Sequence, residues 1–175
     1  HHHGFESFRD LLHYCQHSAN PVGHIVHSIL NAVTAENMRF CDATCTALQL
    51  TNFLQDIRRD YLKERIYIPS DDMKLFGVEP WELGLDIASS SLRSLVRFEA
   101  DRALELFQTG QRLLDQFHGR FKLYVALLSK GGMCVLDSIR AQDYDVLFKR
   151  PTVSKSRKAL FSISVATRLG LRRTI

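Results

Sequence analysis

The chain has 175 residues, of which 45% are hydrophobic and 24% are charged. These proportions are typical of a globular domain with an apolar core, and no run of 18 or more apolar residues indicates a transmembrane helix. Lys and Arg outnumber Asp and Glu by 23 to 19, but the bases are not interleaved with exposed aromatic residues. We therefore expect no nucleic-acid partner. The four cysteines form no CxxC pair and are expected to be reduced packing residues of a cytoplasmic protein.

Apolar periodicity predicts helices joined by short loops, with neither a strand pattern nor an internal repeat. The predicted helices are Phe5 to His17, Asn20 to about Ala32, Ala35 to Lys63, Asp71 to Phe76, a short one opened by Pro80, Leu92 to Phe117, and Phe121 to Tyr144. The segment 65–70 is expected to be extended or irregular, because the residue before a proline avoids the α region. In the last helix, Gly131 and Gly132 either let two helices approach or leave room for a bound chain.

The third predicted helix places a column of polar side chains beside an apolar seam. At about 100° per residue, the column falls within roughly 80° of one face. Its members are Gln49, Asn52, Asp56 and Asp60. The seam, which is expected to be buried, consists of Leu50, Phe53, Leu54, Ile57 and Tyr61.

Two carboxylates one helical turn apart suit a hard cation. Mg²⁺ takes oxygen ligands and is often held by one or two carboxylates together with substrate phosphates. Asp56 and Asp60 have this spacing, and the cationic side chains that follow could bind phosphate oxygens. The alternative is a solvated helix face on which Asp56 pairs with Arg59, and Asp60 with Lys63.

Three motifs in order resemble the squalene/phytoene synthase family. The stretch from Asn52 to Pro69, NFLQDIRRDYLKERIYIP, resembles the family's second aspartate-rich motif. Upstream, YCQHSANPVG at 14–23 is similar to its Tyr-Cys…Val-Gly segment. Downstream, Tyr144-Asp145-Val146 and Arg150-Pro151 resemble its C-terminal signature. SANP at 18–21 and FLQD at 53–56 resemble the hydroxysqualene synthases of the hopanoid pathway, whereas other branches more often have Arg in place of Gln55.

This resemblance implies an all-α isoprenoid-synthase bundle, of which the chain holds only part. Family members are longer and carry an earlier aspartate-rich motif on a facing helix. Residues 1–4 are expected to be the remnant of a purification tag. Residues 5–175 are expected to be the C-terminal portion of the domain, so that the chain would associate with its N-terminal half or with another chain.

The resemblance also implies roles for individual residues. Asn52, Asp56 and Asp60 would bind Mg²⁺ and act in catalysis together with Arg65 and Tyr67. Lys149 or Arg150 would reach the distal phosphate. The expected substrate-binding residues are Tyr14, Ala19, Val22, Gly23, Gln49 and Arg59.

The implied activity is Mg²⁺-dependent ionisation of presqualene or farnesyl diphosphate, giving hydroxysqualene or squalene. Phytoene synthesis is one alternative, and a non-catalytic binding or assembly module is another. Eight Lys and Arg and no acid lie in residues 149–175. The segment 154–175 therefore either forms an amphipathic helix on a membrane surface or packs on the domain with a solvated basic face.

Overall fold

The computed structural model describes residues 4–154 and residue 160. Within these residues every regular element is helical, so the predicted all-α class is confirmed. The α-helices are α1 (Phe8–Ser18), α2 (Asn20–Ile29), α3 (Ala35–Gln55), α4 (Ile57–Tyr61), α5 (Ser70–Phe76), α6 (Ser90–Gly110) and α7 (Gly119–Ala141). Two 3₁₀ helices, Pro80–Gly84 and Gln111–Gln116, precede and follow α6. The expected tag at His1–His3 and nearly all of the predicted C-terminal helix lie outside the described residues.

The first helix begins at its capping side chain rather than at its first apolar residue. Ser7 Oγ accepts a hydrogen bond from the Asp10 amide at 3.3 Å, and Asp10 Oδ2 accepts one from the Ser7 amide at 3.0 Å. This reciprocal capping box satisfies two of the amides that a helix start leaves unpaired. The predicted start at Phe5 was therefore wrong, because the cap makes Phe8 the first helical residue.

Helix α3 lies at the centre of the fold. It packs most extensively along α6 and also contacts α1, α2, α4 and α7. The apolar seam predicted for this region is confirmed, since Leu50, Phe53, Leu54 and Ile57 are buried and Tyr61 packs against the same core. The polar column beside the seam consequently lies at the edge of the packed core.

The predicted helix from Ala35 to Lys63 is interrupted at Asp56. This residue leaves the helical region, with φ −115° and ψ 17°, and α4 begins immediately afterwards. Its amide is shared between the carbonyl groups of Asn52 at 3.1 Å and Phe53 at 3.3 Å. Periodicity continues across the break, but both Gln55 and Asp56 bind the segment at 150–151, a contact that no local pattern records.

The two adjacent glycines of α7 have different environments. A Cβ on Gly132 would overlap the Phe107 ring of α6 and lie 2.9 Å from Leu48 Cδ2 of α3. A Cβ on Gly131 would have no neighbour within 4 Å. Of the two explanations for the pair, helix approach therefore applies to Gly132.

Candidate active site

The carboxylate at the helix break is clamped by an arginine that is distant in sequence. Arg150 donates from Nε to Asp56 Oδ1 and from Nη2 to Oδ2, both at 2.7 Å. Arg59 Nη1 lies 3.4 Å from Oδ1, the pairing expected for a solvated helix face. The hydrogen bonds from Arg150 lower the pKa of Asp56 and raise that of Arg150. Asp56 is thus held as an anion by an opposed fork of donors.

One turn further on, Asp60 lacks such a partner. Burial and the nearby Asp56 charge raise the pKa of Asp60, while Lys63 and Arg65 oppose that rise. No hydrogen bond reaches its carboxylate in the described part of the chain. Asp60 lines a small cleft together with Arg65 and Tyr67. A cation between Asp56 and Asp60 would relieve their repulsion, so the donor set is compatible with Mg²⁺.

Any such cation would have few protein ligands. Among residues 4–154 and 160, no group of three or more His, Cys, Asp or Glu side chains converges as a metal site. A magnesium ion bound by two carboxylates alone would keep positions free for water and phosphate oxygens. Asp56 and Asp60 are the described carboxylates that would hold such an ion.

The segment after α4 packs an aromatic cluster beside this cleft. Tyr67 stacks on Phe53 with ring centroids 3.8 Å apart and planes at 7°. Phe5 and Tyr14 lie 6.1 and 6.0 Å from Tyr67, measured between ring centroids. Burial and the neighbouring Tyr14 raise the pKa of Tyr67. Tyr67 is therefore a protonated, partly buried hydroxyl next to the carboxylates.

The other members of the polar column are more open. Asn52 is exposed and Gln49 is half-buried, and both lie on α3 before the break. Their helical register keeps them on the face that leads to Asp56. The structure brings Asp60, Arg65 and Tyr67 together in the cleft, whereas Asn52 and Gln49 extend the same face along α3.

Of the four predicted substrate-binding residues before α3, some are exposed to solvent and others pack against neighbouring helices. Val22 is 63% exposed and Tyr14 is 36% exposed, whereas Ala19 is half-buried. Gly23 packs against the Sγ atoms of Cys41 and Cys45, where any Cβ would overlap them. Gly23 therefore sets the distance between α2 and α3, and the apolar side chains of α2 face outward.

A buried cluster of charged side chains was not predicted from the sequence. Arg102 donates to Asp72 Oδ2 at 2.6 Å and to Asp72 Oδ1 at 3.2 Å, and also to Glu99 Oε1 at 3.0 Å. Burial raises the pKa of Glu99 to about 8. One guanidinium thus binds two carboxyl groups, Asp72 and Glu99. The i, i+3 spacing of Glu99 and Arg102 was the available signal, but Asp72 comes from a different helix.

Asp145 of the C-terminal motif has a structural role, because its hydrogen bonds hold its segment in place. Its Oδ1 accepts hydrogen bonds from the amides of Ala88 at 3.1 Å and Phe148 at 3.2 Å, and its Oδ2 accepts one from Arg93 at 3.0 Å. These bonds tie the segment that carries Arg150 to the start of α6. Of the two phosphate-binding candidates in this motif, Arg150 is the one that faces the aspartates.

In the described part of the chain, none of the helices has the length and apolarity needed to cross a bilayer. The all-helical bundle agrees with the isoprenoid-synthase class that the sequence motifs led us to expect. The squalene/phytoene synthase family model matches residues 1–157. The chain belongs to the squalene/phytoene synthase family, and the predicted membership is confirmed.

The similar proteins are named for three different activities. The chain is 34% identical over 159 residues to a phytoene synthase from Mycobacterium tuberculosis, covering 89% of this chain and 53% of that protein. It is also 34% identical over 128 residues to a hydroxysqualene synthase from Zymomonas mobilis, covering 72% of this chain and 43% of that protein. The crystal structure of squalene synthase HpnC from Alicyclobacillus acidocaldarius is similar, with a TM-score of 0.78 and 39% identity over 81% of this chain and 54% of that one.

The chain spans about half the length of the relatives it matches. The predicted isoprenoid-synthase bundle, partial with respect to full-length relatives, is therefore confirmed. The family is one of prenyltransferase-like enzymes.

Proposed function

We propose that this chain supplies one wall of a Mg²⁺-dependent site that ionises a prenyl diphosphate in squalene or hopanoid biosynthesis. The observation that carries the proposal is the pair Asp56 and Asp60, one helical turn apart and bordered by Arg59, Arg65 and Arg150. Relatives named hydroxysqualene synthase and squalene synthase support this branch. Phytoene synthase is the alternative product class, supported by relatives of that name.

Different side chains of this wall would have different roles in the ionisation. When bound, Mg²⁺ supplies Lewis-acid neutralisation of the leaving diphosphate, and Asp56 and Asp60 would hold it. Arg65 and Arg150 would stabilise the negative charge that grows on the leaving group as the C–O bond breaks. The stacked rings of Phe53 and Tyr67 would shield the developing carbocation from premature water.

The exposed face of α2 would form part of the hydrocarbon wall. Val22, Ile25 and Ile29 are 63%, 61% and 75% exposed and follow one another at helical spacing. Together with Val33, they form an apolar stripe that the described residues do not cover. We propose that the helices supplied by the remaining half of full-length relatives face this stripe, and that a prenyl chain lies between the two.

The test is release of pyrophosphate from presqualene or farnesyl diphosphate with Mg²⁺, together with identification of the product. The chain is assayed alone and with a polypeptide that supplies the remaining half of the relatives' length. We expect turnover with the second half present, and Asp60→Asn lowers it by roughly 100-fold or more, as when a stabiliser of transition-state charge is removed. Asp101→Asn, an exposed carboxylate on α6, is the matched control and keeps full turnover.

A non-catalytic binding or assembly module is the second candidate. It is favoured by the Asp56–Arg150 pair, which satisfies one of the two carboxylates without any metal. Full turnover in Asp60→Asn would refute the metal role. If the completed protein released no pyrophosphate from any prenyl diphosphate tested, the non-catalytic module would be favoured.

A further inference from the structure

Gln55 is a buried amide that the proposed chemistry does not use. It is the last residue of α3, its side chain is buried, and its Nε2 donates a hydrogen bond to the carbonyl oxygen of Pro151. Pro151 is itself fully buried. The bond joins positions 96 residues apart in the chain. A buried amide paired in this way is costly to remove without a replacement partner.

The neighbours of these two residues are the charged pair of the site. Asp56 follows Gln55 directly, and Arg150 directly precedes Pro151. The bond between Gln55 and Pro151 therefore fixes the two backbones at the spacing that lets the Arg150 guanidinium meet both oxygens of Asp56. Without this bond, that distance would depend on the Arg150 side chain and on the hydrogen bonds of Asp145, which anchor the same segment at an earlier residue.

The pairing creates a competition at Asp56. While Arg150 donates to both of its oxygens, Asp56 offers a cation little free negative charge. A diphosphate that carries a divalent cation supplies both replacements, because the cation binds Asp56 and the phosphate oxygens accept the hydrogen bonds of Arg150.

We infer that Gln55 is a positioning residue: by holding Pro151 it keeps Arg150 on Asp56 in the empty site and within reach of the diphosphate in the filled one. The part of this inference that concerns the diphosphate rests on the proposed function. Free cation is then disfavoured at Asp56, whereas the cation–diphosphate complex recovers the full set of charge-assisted bonds.

The test compares wild-type protein with Gln55→Met, which keeps the length and apolar packing of the side chain but removes the donor. Binding of Mn²⁺, used as a paramagnetic substitute for Mg²⁺, is measured by electron paramagnetic resonance with and without inorganic pyrophosphate. We expect Mn²⁺ alone to bind about 3-fold more tightly to Gln55→Met, and Mn²⁺ with pyrophosphate about 5-fold more weakly, the size of one lost hydrogen bond. A purely structural defect would weaken both, and either that result or unchanged affinities would overturn the inference.

A double-mutant cycle shows whether Gln55 acts through Arg150. In an Arg150→Gln background, Gln55→Met is expected to change neither affinity further. Equal effects of Gln55→Met in both backgrounds would contradict the positioning role.

A metal-free measurement separates this inference from the proposed function. The Nε–H of Arg150 is expected to be protected from hydrogen exchange in the wild type and to lose protection in Gln55→Met, as followed by ¹⁵N NMR. Retained protection overturns the inference. Lost protection, combined with no Mn²⁺ binding under either condition even when the second half is supplied, upholds the positioning and refutes the proposed metal site instead.

Discussion

Substitution of the two adjacent glycines of α7 gives a sharp test of how the bundle is packed. At Gly132 an alanine methyl group would overlap the ring of Phe107, a fully buried residue of α6. Overpacking of this kind costs about 1–3 kcal/mol. Both substitutions gain roughly 0.5–1 kcal/mol because alanine favours the helix more than glycine does. At Gly131, where a methyl group meets nothing within 4 Å, only this gain applies.

The gain from replacing glycine with alanine in a helix is the same for both variants, so it cancels when their free energies of unfolding are compared. Gly132→Ala should therefore be less stable than Gly131→Ala by about 1–3 kcal/mol, the overpacking cost alone. For a chain of this size, each kcal/mol corresponds to about 2–4 °C, which gives a gap in Tm of about 2–12 °C. Thermal unfolding followed by far-ultraviolet circular dichroism measures Tm, and urea unfolding gives the free energies.

A second substitution checks the cause of the destabilisation. Phe107→Leu removes part of the ring that the new methyl group meets, so Gly132→Ala should cost less in that background than in the wild type. Equal stabilities of Gly131→Ala and Gly132→Ala would refute the reasoning, because they would mean that the space at Gly132 is empty and available to a ligand instead.

Two further predictions concern buried carboxyl groups. Burial raises the pKa of Glu99 to about 8 from an ordinary value of 4.5, so its contribution to stability is complete below about pH 4.5 and is lost as the pH rises through about 8. Glu99→Gln should flatten this decline in urea unfolding; the same pH slope as in the wild type would contradict it. Asp145→Asn, which places an amide against three backbone N–H donors and Arg93, should cost about 1–3 kcal/mol in urea unfolding. The control Asp143→Asn, at an 84%-exposed partner of the same arginine, should cost less than about 1 kcal/mol, and equal losses would refute the buried role.

Much of the architecture could be predicted from local patterns. Leu50, Phe53, Leu54 and Ile57 were assigned to the core from their spacing alone, and all four are buried. The irregular segment after α4 followed from Pro69 and its neighbours. Helix boundaries were less accurate: α6 ends at Gly110 and continues as a 3₁₀ helix, where periodicity had predicted one helix to Phe117.

The candidate site was only partly visible in the sequence. The spacing of Asp56 and Asp60 and the resemblance of the motif that contains them pointed to the cation site. The sequence left the choice between Lys149 and Arg150 open. It indicated neither the bond from Gln55 to Pro151 nor the break at Asp56, because the partners are more than 90 residues apart.

The sequence alone determined which faces of the helices are apolar, where carboxylates recur one turn apart, and to which family the chain belongs. These properties follow from the fixed 3.6-residue period of a helix and from motifs contiguous in the chain. Only the tertiary structure decided which charge neutralises Asp56, which glycine admits a neighbouring helix, and which buried carboxyl group stays protonated. Each of these depends on distances between distant segments and on exclusion of water, and both arise only when the helices pack.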